Sequence, residues 1–191
     1  KELEVPAIRN ALPKFLSLEE SLDLLTSTAA SANARDYCIV TFLINCGMRV
    51  SELVGINISD LRKTEKTLRL LGKGNKEREV YFNARTKIHL QNYLNSRTDN
   101  NPALFVSLLN PHSRLSISGV EVRLRTLGRK VNIAKVHPHK FRRTLATMAI
   151  DKGMPIEQVQ RLLGHVKIDT TLHYAMVNQN NVKMAHRKYI G

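Results

Sequence analysis

Apolar residues recur at spacings of three and four along most of the chain, which indicates a mainly helical protein. Residues 17–20 read Ser-Leu-Glu-Glu, a capping box that predicts a first helix over about 18–28. A second helix is predicted over 34–46 and should end at Gly47. The same spacing predicts further helices, in chain order, from Ser51 and over 84–97, 118–131, 139–152, 156–163, 169–175 and 178–188.

The pattern changes to alternation after Lys66. Segments 67–71 and 77–82 are predicted to be strands, joined by the turn Gly72-Lys73-Gly74-Asn75-Lys76. This is a β-hairpin with a basic tip, and segment 104–106 is a candidate for a third strand. The expected fold class is therefore mainly α with a small antiparallel β-sheet, an α+β domain.

Three regions are expected along the chain. Residues 1–16 carry Pro6 and Pro13 and are predicted to be a linker or arm. Residues 17–177 should form one domain with its own core, because a chain of 191 residues can bury one. Residues 178–191 are predicted to be a C-terminal tail helix.

The net charge of the chain indicates which class of binding partner to expect. Lys and Arg number 30 against 16 Asp and Glu, so the formal net charge is +14. Such an excess favours a polyanion, because neutralising phosphates releases condensed counterions. The basic residues are dispersed rather than gathered on one amphipathic helix, which weakens the alternative of an anionic membrane surface.

The sequence favours a cytoplasmic protein. We find no apolar run of membrane-span length and no signal-peptide pattern in residues 1–10. Cys38 and Cys46 lie eight residues apart in an apolar stretch and are expected to be buried thiols rather than a disulfide or metal pair.

Five short motifs contain candidate catalytic side chains. Each has an ordinary explanation when taken alone: a solvated cation, a helix-terminal histidine or a packed aromatic ring. The candidates are Arg49 in GMRVSEL, Lys73 at the hairpin tip, His139 and Arg142 in HPHKFRRTLAT, His165 after Gly164, and Tyr174 in DTTLHYA.

The order of these motifs resembles the tyrosine recombinase (phage integrase) family. The strings GMRVSEL, GKGNKER, HPHKFRRTLAT and LLGHVKIDTTLHYA are similar to its Xer-like branch, over nearly the whole chain from about Pro13. Phe141 and Arg143 depart from residues common in the family, at positions without a catalytic role. The resemblance implies the tyrosine recombinase catalytic-domain fold. It also implies that the six catalytic roles fall on Arg49, Lys73, His139, Arg142, His165 and Tyr174.

Physical chemistry agrees with these assignments. A phosphodiester under attack gathers negative charge on its nonbridging oxygens, and two planar guanidiniums suit that charge. The phenol of Tyr174 has an ordinary pKa of about 10, so His139 is expected to accept its proton and Arg142 to favour the phenolate. Lys73 is expected to protonate the leaving 5′ oxygen, and His165 to donate a hydrogen bond to the phosphate. Tyr174 then holds a 3′-phosphotyrosine, and no metal or nucleotide cofactor is expected.

The resemblance also implies partners. These are double-stranded DNA with specific recombination sites and a homotetramer around two duplexes, with 178–191 docked on a neighbouring protomer. The alternative is that this tail packs on its own domain. Family members carry an N-terminal helical domain that closes around DNA, so we expect the chain to be a fragment. Basic side chains on the helix from Ser118 are candidates for base reading.

Other functions remain open to test. A zinc site built from His137, His139, His165 and His173 is disfavoured by Pro138 and by the lack of a carboxylate or cysteine in register. Scattered acidic residues argue against a metal nuclease, and GKGNKER lacks the spacing of a phosphate-binding Walker loop. A non-catalytic DNA-binding module and a type IB topoisomerase-like activity are the main alternatives. Chromosome resolution, phage integration and transposon excision all stay possible.

Overall fold

The computed structural model describes residues 16–17, 20–21, 23–26, 33–62, 64–164 and 186–190. Its labelled elements are helices and short strands in the following order. They are α1 (Ala34–Cys46), α2 (Val50–Gly55), a 3-10 turn (Ile58–Asp60), β1 (Leu61–Arg62), β2 (Thr67–Leu71), β3 (Glu77–Tyr81), α3 (Ala84–Ser96), α4 (Ile117–Lys130), α5 (Pro138–Asp151) and α6 (Ile156–Leu163). Residues 20–21, 23–26 and 186–189 are also helical.

Side-chain caps mark the starts of two helices, and a glycine marks the end of one, where the sequence predicts. The amide of Glu20 donates to Ser17 Oγ at 3.0 Å, and the amide of Ser17 donates to Glu20 Oε2 at 2.8 Å, which confirms the capping box. Helix α1 begins after Asn33, whose side chain accepts from the Asp36 amide, and ends at Gly47 with φ of 56°. A left-handed residue of this kind favours glycine, so the predicted helix over 34–46 is confirmed.

The other helices agree with prediction to within about a residue at each end. The predicted helix over 169–175 lies outside the described residues, as does most of 178–188, although 186–189 is helical. The predicted linker 1–16 lies almost wholly outside them too. The boundaries of linker, domain and tail therefore stay predictions.

A three-stranded antiparallel sheet packs against α1 and α2. Its order is β1-β2-β3, and Leu68 of β2 lies between Leu61 of β1 and Val80 of β3. The predicted hairpin is confirmed, but the third strand is β1 and not segment 104–106. Segment 104–106 is buried and makes only an isolated bridge, from Val106 to Arg114, so its apolar character reflects burial and not sheet pairing.

The core forms around α1, which packs against α3, α5 and β3. Burial of α1 extends beyond the Ile39, Val40 and Leu43 side that its pattern indicates and includes Arg35 and Asp36. The ring of Phe42 meets Phe82 and Phe105 edge to face, at centroid distances of 5.9 Å and 6.0 Å. A smaller apolar cluster joins α5 to α6 through Ala146, Ala149, Val159 and Leu163.

Cys38 and Cys46 are buried free thiols, as predicted. Burial raises the pKa of each thiol to about 12, so neither is a thiolate at neutral pH. Among the helices within the described ranges, none has the length and apolar character needed to cross a bilayer.

Candidate active site

Three arginine side chains converge on the C-terminal end of α6. A helix leaves its last carbonyl groups without intrahelical partners and carries a partial negative charge there, so this end favours cations. Each arginine comes from a different part of the chain and donates a hydrogen bond to a different carbonyl oxygen. Arg78 Nη1 donates to Leu162 O at 2.6 Å, Arg142 Nη2 to Leu163 O at 2.9 Å, and Arg49 Nη2 to Gly164 O at 3.1 Å.

Gly164 ends α6 in close contact with Arg78. Its φ is +64°, and a Cβ at this position would lie 2.8 Å from both Cδ and Nε of Arg78. Glycine therefore permits both the left-handed turn and the approach of the arginine side chain. His165 follows directly in sequence and lies outside the described residues.

Arg49 is held at the start of α2. Its amide donates to Glu52 Oε2 at 2.7 Å, and its Nη1 donates to Glu52 Oε1 at 3.1 Å. The Arg49 side chain remains 32% exposed, so the guanidinium is anchored on one edge and partly open on the other. Such a group can still donate to an oxyanion from solvent.

Arg142 is buried on α5. Only 3% of the residue is exposed, and its Nη1 donates to Gly47 O while its Nη2 donates to Leu163 O. The side chain thus links α5 to the end of α1 and to the end of α6. Because Gly47 lies two residues before Arg49, these contacts bring the two predicted catalytic arginines into one neighbourhood.

Glu52 is the buried carboxylate of the site. Its side chain is 2% exposed, and it accepts from Arg78 Nη2 at 2.8 Å and from Arg78 Nε at 3.4 Å, in addition to its bonds from Arg49. Burial raises the pKa of Glu52, but hydrogen bonds and charge from Arg78 and Arg49 outweigh burial and leave the pKa below its ordinary value. Glu52 is therefore ionised at neutral pH and shared between two arginines.

Lys73 opens onto the same cavity as Arg49. The cavity has a volume of about 440 Å³, and its lining contains five cationic side chains and two carboxylates. Lys73 is exposed in the turn after β2. The charged lining residues are Arg49, Lys73, Lys76, Arg78, Arg161, Glu52 and Glu77. This excess of positive charge suits an anionic group such as a phosphodiester.

His139 lies in the first turn of α5, three residues before Arg142. It is exposed, and its ring stacks on His137 with centroids 5.2 Å apart, while His137 Nε2 lies 3.3 Å from Glu121 Oε1. Partial burial and the positive charges of His137, Arg142 and Arg143 lower the pKa of His139. The neutral ring, which can accept a proton, is therefore favoured at neutral pH.

The structure brings together three of the six predicted site residues, describes a fourth nearby and does not describe the other two. Arg49 and Lys73 line one cavity, and Arg142 donates to the carbonyl of Leu163, which directly precedes the lining residue Gly164. His139 is placed one helical turn from Arg142. His165 and Tyr174 lie outside the described residues, and the catalytic roles of all six residues stay predictions.

The proposed base-reading helix, α4, carries arginines in two different settings. Arg123 pairs with the buried carboxylate of Asp36, which Arg35 also contacts, so Arg123 stabilises the fold. Arg125 and Arg129 are exposed and stay candidates for DNA contact. No cluster of three or more His, Cys, Asp or Glu side chains suited to a metal occurs in the part of the chain that the structure describes.

Residues 14–181 match the model of the phage integrase family. The chain belongs to this family. The tyrosine recombinase XerC of Caldanaerobacter subterraneus subsp. tengcongensis is 36% identical over 98% of this chain and 54% of that protein. The tyrosine recombinase XerA of Pyrococcus furiosus is 36% identical over 97% of this chain and 65% of that protein. The chain thus spans roughly half to two thirds of these relatives.

This chain has the same fold as the solved structure of the XerA recombinase. It superposes with a TM-score of 0.80 at 31% identity, covering 98% of this chain and 67% of that one. The expected fold, mainly α with a small antiparallel sheet and typical of the tyrosine recombinase catalytic domain, is confirmed.

Sequence reasoning missed five charged residues that line the cavity: Glu52, Lys76, Glu77, Arg78 and Arg161. Arg78 had a usable signal. Alternation along β3 puts it on the same face as the buried Val80, and it lies opposite the buried Leu70. An arginine on the inner face of a strand needs hydrogen-bond acceptors inside the protein, and that requirement marks Arg78 as a residue to examine.

Proposed function

We propose that this chain is the catalytic part of a site-specific tyrosine recombinase, which cleaves and rejoins DNA strands through a phosphotyrosine at Tyr174. The observation that carries the proposal is the shared cavity of Arg49 and Lys73, with Arg142 anchored beside it. Membership of the phage integrase family and the names of the XerC and XerA relatives support the same conclusion. The net charge of +14 supports double-stranded DNA as the substrate.

In the cleavage step, Tyr174 Oη attacks the phosphorus atom and the bond from phosphorus to the 5′ oxygen breaks. The products are a 3′-phosphotyrosine and a free 5′ hydroxyl. His139 takes the phenolic proton, which its lowered pKa allows, and Lys73 supplies a proton to the departing 5′ oxygen.

Charge on the nonbridging oxygens is stabilised by Arg49 and Arg142, and His165 adds a hydrogen bond. Arg142 is held by two carbonyl oxygens, so its guanidinium is oriented before DNA binds. Preorganised donors of this kind cost little reorganisation during the reaction. Attack by a 5′ hydroxyl from a second strand reverses the step and completes strand exchange.

The assembly that we propose is a homotetramer on two DNA duplexes carrying recombination sites, acting in the cytoplasm. The tail over 178–191 would dock on a neighbouring protomer and so link adjacent active sites. Two other activities are distinguishable by product. A type IB topoisomerase-like enzyme relaxes supercoils without exchanging strands, and a non-catalytic DNA-binding module forms no covalent adduct.

Covalent trapping tests the proposal. The chain is incubated with nicked duplexes from a randomised library, and attached DNA is recovered and sequenced. Tyr174→Phe should abolish the covalent adduct while DNA binding in a gel-shift assay stays within about threefold, because a single hydroxyl is lost. Tyr81→Phe, at an exposed position on β3, is the matched control and should form normal adduct. Undiminished adduct in Tyr174→Phe would show that another residue is the nucleophile.

A further inference from the structure

Arg78, on the hairpin that carries Lys73, makes more contacts across the site than its place in a short strand requires. Its guanidinium donates to both oxygens of Glu52, at 2.8 Å and 3.4 Å, and to Leu162 O at 2.6 Å. Its side chain is 13% exposed. All three nitrogen atoms of the group are therefore engaged inside the protein.

These contacts close a ring that includes Arg49. Glu52 binds Arg49 as well as Arg78. Arg49 donates to Gly164 O, and Arg78 donates to Leu162 O two residues earlier. The end of α6, the start of α2 and the strand β3 are thus joined by two arginines and one carboxylate. A displacement of any one of them changes the position of the others.

We propose that Arg78 is a positioning residue for the cleavage reaction: it holds Arg49 in place through Glu52 and fixes the Lys73 hairpin to the end of α6. This proposal rests on the proposed function. Arg78 touches neither the phosphate nor the nucleophile in this role. It determines where two groups that act on the phosphate are found.

Charge explains why an arginine is suited to this position. Glu52 is buried and ionised, and with Arg78 absent it would have Arg49 as its remaining arginine partner. The carboxylate would then hold Arg49 more tightly and draw it from the open side of the cavity, where the phosphate must bind. Arg78 therefore balances the charge of Glu52 and leaves Arg49 available.

Distance along the chain explains the link to Lys73. Arg78 follows the turn by two residues and pairs with Leu70 across the hairpin, so its anchor to Leu162 restrains the end of the hairpin next to the turn. Gly164 lies against the same side chain, with its hypothetical Cβ 2.8 Å from Arg78 Cδ. The turn with Lys73 stays exposed, while the strand residue two positions after it is anchored to the site.

The test compares Arg78→Gln with the unaltered chain in single-turnover cleavage of a nicked duplex selected from the randomised library. We expect cleavage to slow by about 100-fold, since a misplacement of about 1 Å is enough for such a loss. DNA binding should stay within about threefold. Arg69→Gln is the matched control, because Arg69 lies on the same hairpin and pairs with Asp60 and Glu77 instead.

Modified substrates separate positioning from general loss of structure. A methylphosphonate at the scissile position lacks the negative charge that Arg49 neutralises, and a 5′-bridging sulfur leaves without the proton that Lys73 supplies. Because Arg78 acts through both groups, each of these substrates should restore part of the ratio of variant to unaltered rate. If neither restores it, the loss is purely structural and the proposal is wrong.

Arg78→Lys covers the case in which Arg78→Gln fails to fold. Lysine keeps the positive charge beside Glu52, but its single ammonium group cannot donate to Glu52 and Leu162 O with the geometry of the planar guanidinium. The cleavage rate should therefore fall by about 10-fold. A folded Arg78→Lys chain that cleaves at the unaltered rate overturns the proposal. An unaltered chain that forms no adduct at all contradicts the proposed function instead, so the two failures are distinguishable.

Discussion

Replacing Arg142 or Arg49 by alanine should have different effects on stability, although both should slow cleavage. Arg142 is 3% exposed and donates to two carbonyl oxygens, on Gly47 and Leu163. A hydrogen bond from a charged donor contributes about 1.5–3 kcal/mol, so Arg142→Ala should lower the free energy of unfolding by about 3–6 kcal/mol.

Arg49→Ala should cost less stability. The Arg49 side chain is 32% exposed, and after its removal Glu52 keeps both bonds from Arg78 and the bond from the backbone amide of residue 49. The ion pair of the partly exposed Arg49 with Glu52 contributes about 1 kcal/mol or less, and its bond to Gly164 O about 1 kcal/mol more, so the free energy of unfolding should fall by about 2 kcal/mol.

Both variants should lose transition-state stabilisation. Removing one donor to a developing oxyanion costs about 3 kcal/mol, which corresponds to about a 100-fold slower cleavage step. Lysine replacements should recover only part of the rate, because the planar fork is lost.

Urea unfolding followed by circular dichroism measures the stability change, with linear extrapolation to water. Single-turnover cleavage on the nicked duplex measures the rate, at a temperature where all variants are folded. Arg85→Ala, at an exposed position on α3, serves as the control for loss of one positive charge. Equal unfolding free energies for Arg142→Ala and Arg49→Ala would refute the reasoning from their contacts, and normal cleavage by both would locate the active site elsewhere.

Three further predictions concern the leaving group, the base and the tail. Lys73→Ala should be slow on ordinary DNA and near normal on a 5′-bridging sulfur substrate; equal impairment on both would mean that Lys73 only binds phosphate. Because burial and nearby positive charges lower the pKa of His139 from its ordinary value of 6.5, the neutral ring persists as pH falls, and cleavage should decline only below about 6.5. A pH profile that falls between 8 and 7 and is unchanged in His139→Ala would exclude this base. Deleting residues 181–191 should leave monomer binding to DNA intact but disrupt assembly on a full paired site in native gels. Normal tetramers of the truncated chain would show that the tail packs on its own domain.

Local signals in the sequence were sufficient for most of the fold. The helix over 34–46, the strand over 67–71 and the helix over 156–163 agree with the structure because caps, glycines and apolar spacing act within a few residues. The third strand was predicted wrongly at 104–106. The partner of β2 is chosen by non-local pairing, and a short apolar segment is buried in a loop as readily as in a sheet.

The sequence by itself also determined which residues to examine in the site. The order of the motifs in the chain named six candidates, and the family assignment followed from these motifs. The candidates are Arg49, Lys73, His139, Arg142, His165 and Tyr174. These signals are local strings, so they identify residue types without showing how distant strings meet.

Only the tertiary structure decided how the site is held together. Arg49 meets Gly164 across 115 positions of sequence, and Arg78 meets Leu162 across 84. These contacts exist because the end of α6 presents unpaired carbonyl groups that attract cations from whichever elements pack beside it. Glu52 and Arg78 owe their roles to that convergence, because a buried carboxylate and its partners are selected by burial and packing in the folded protein.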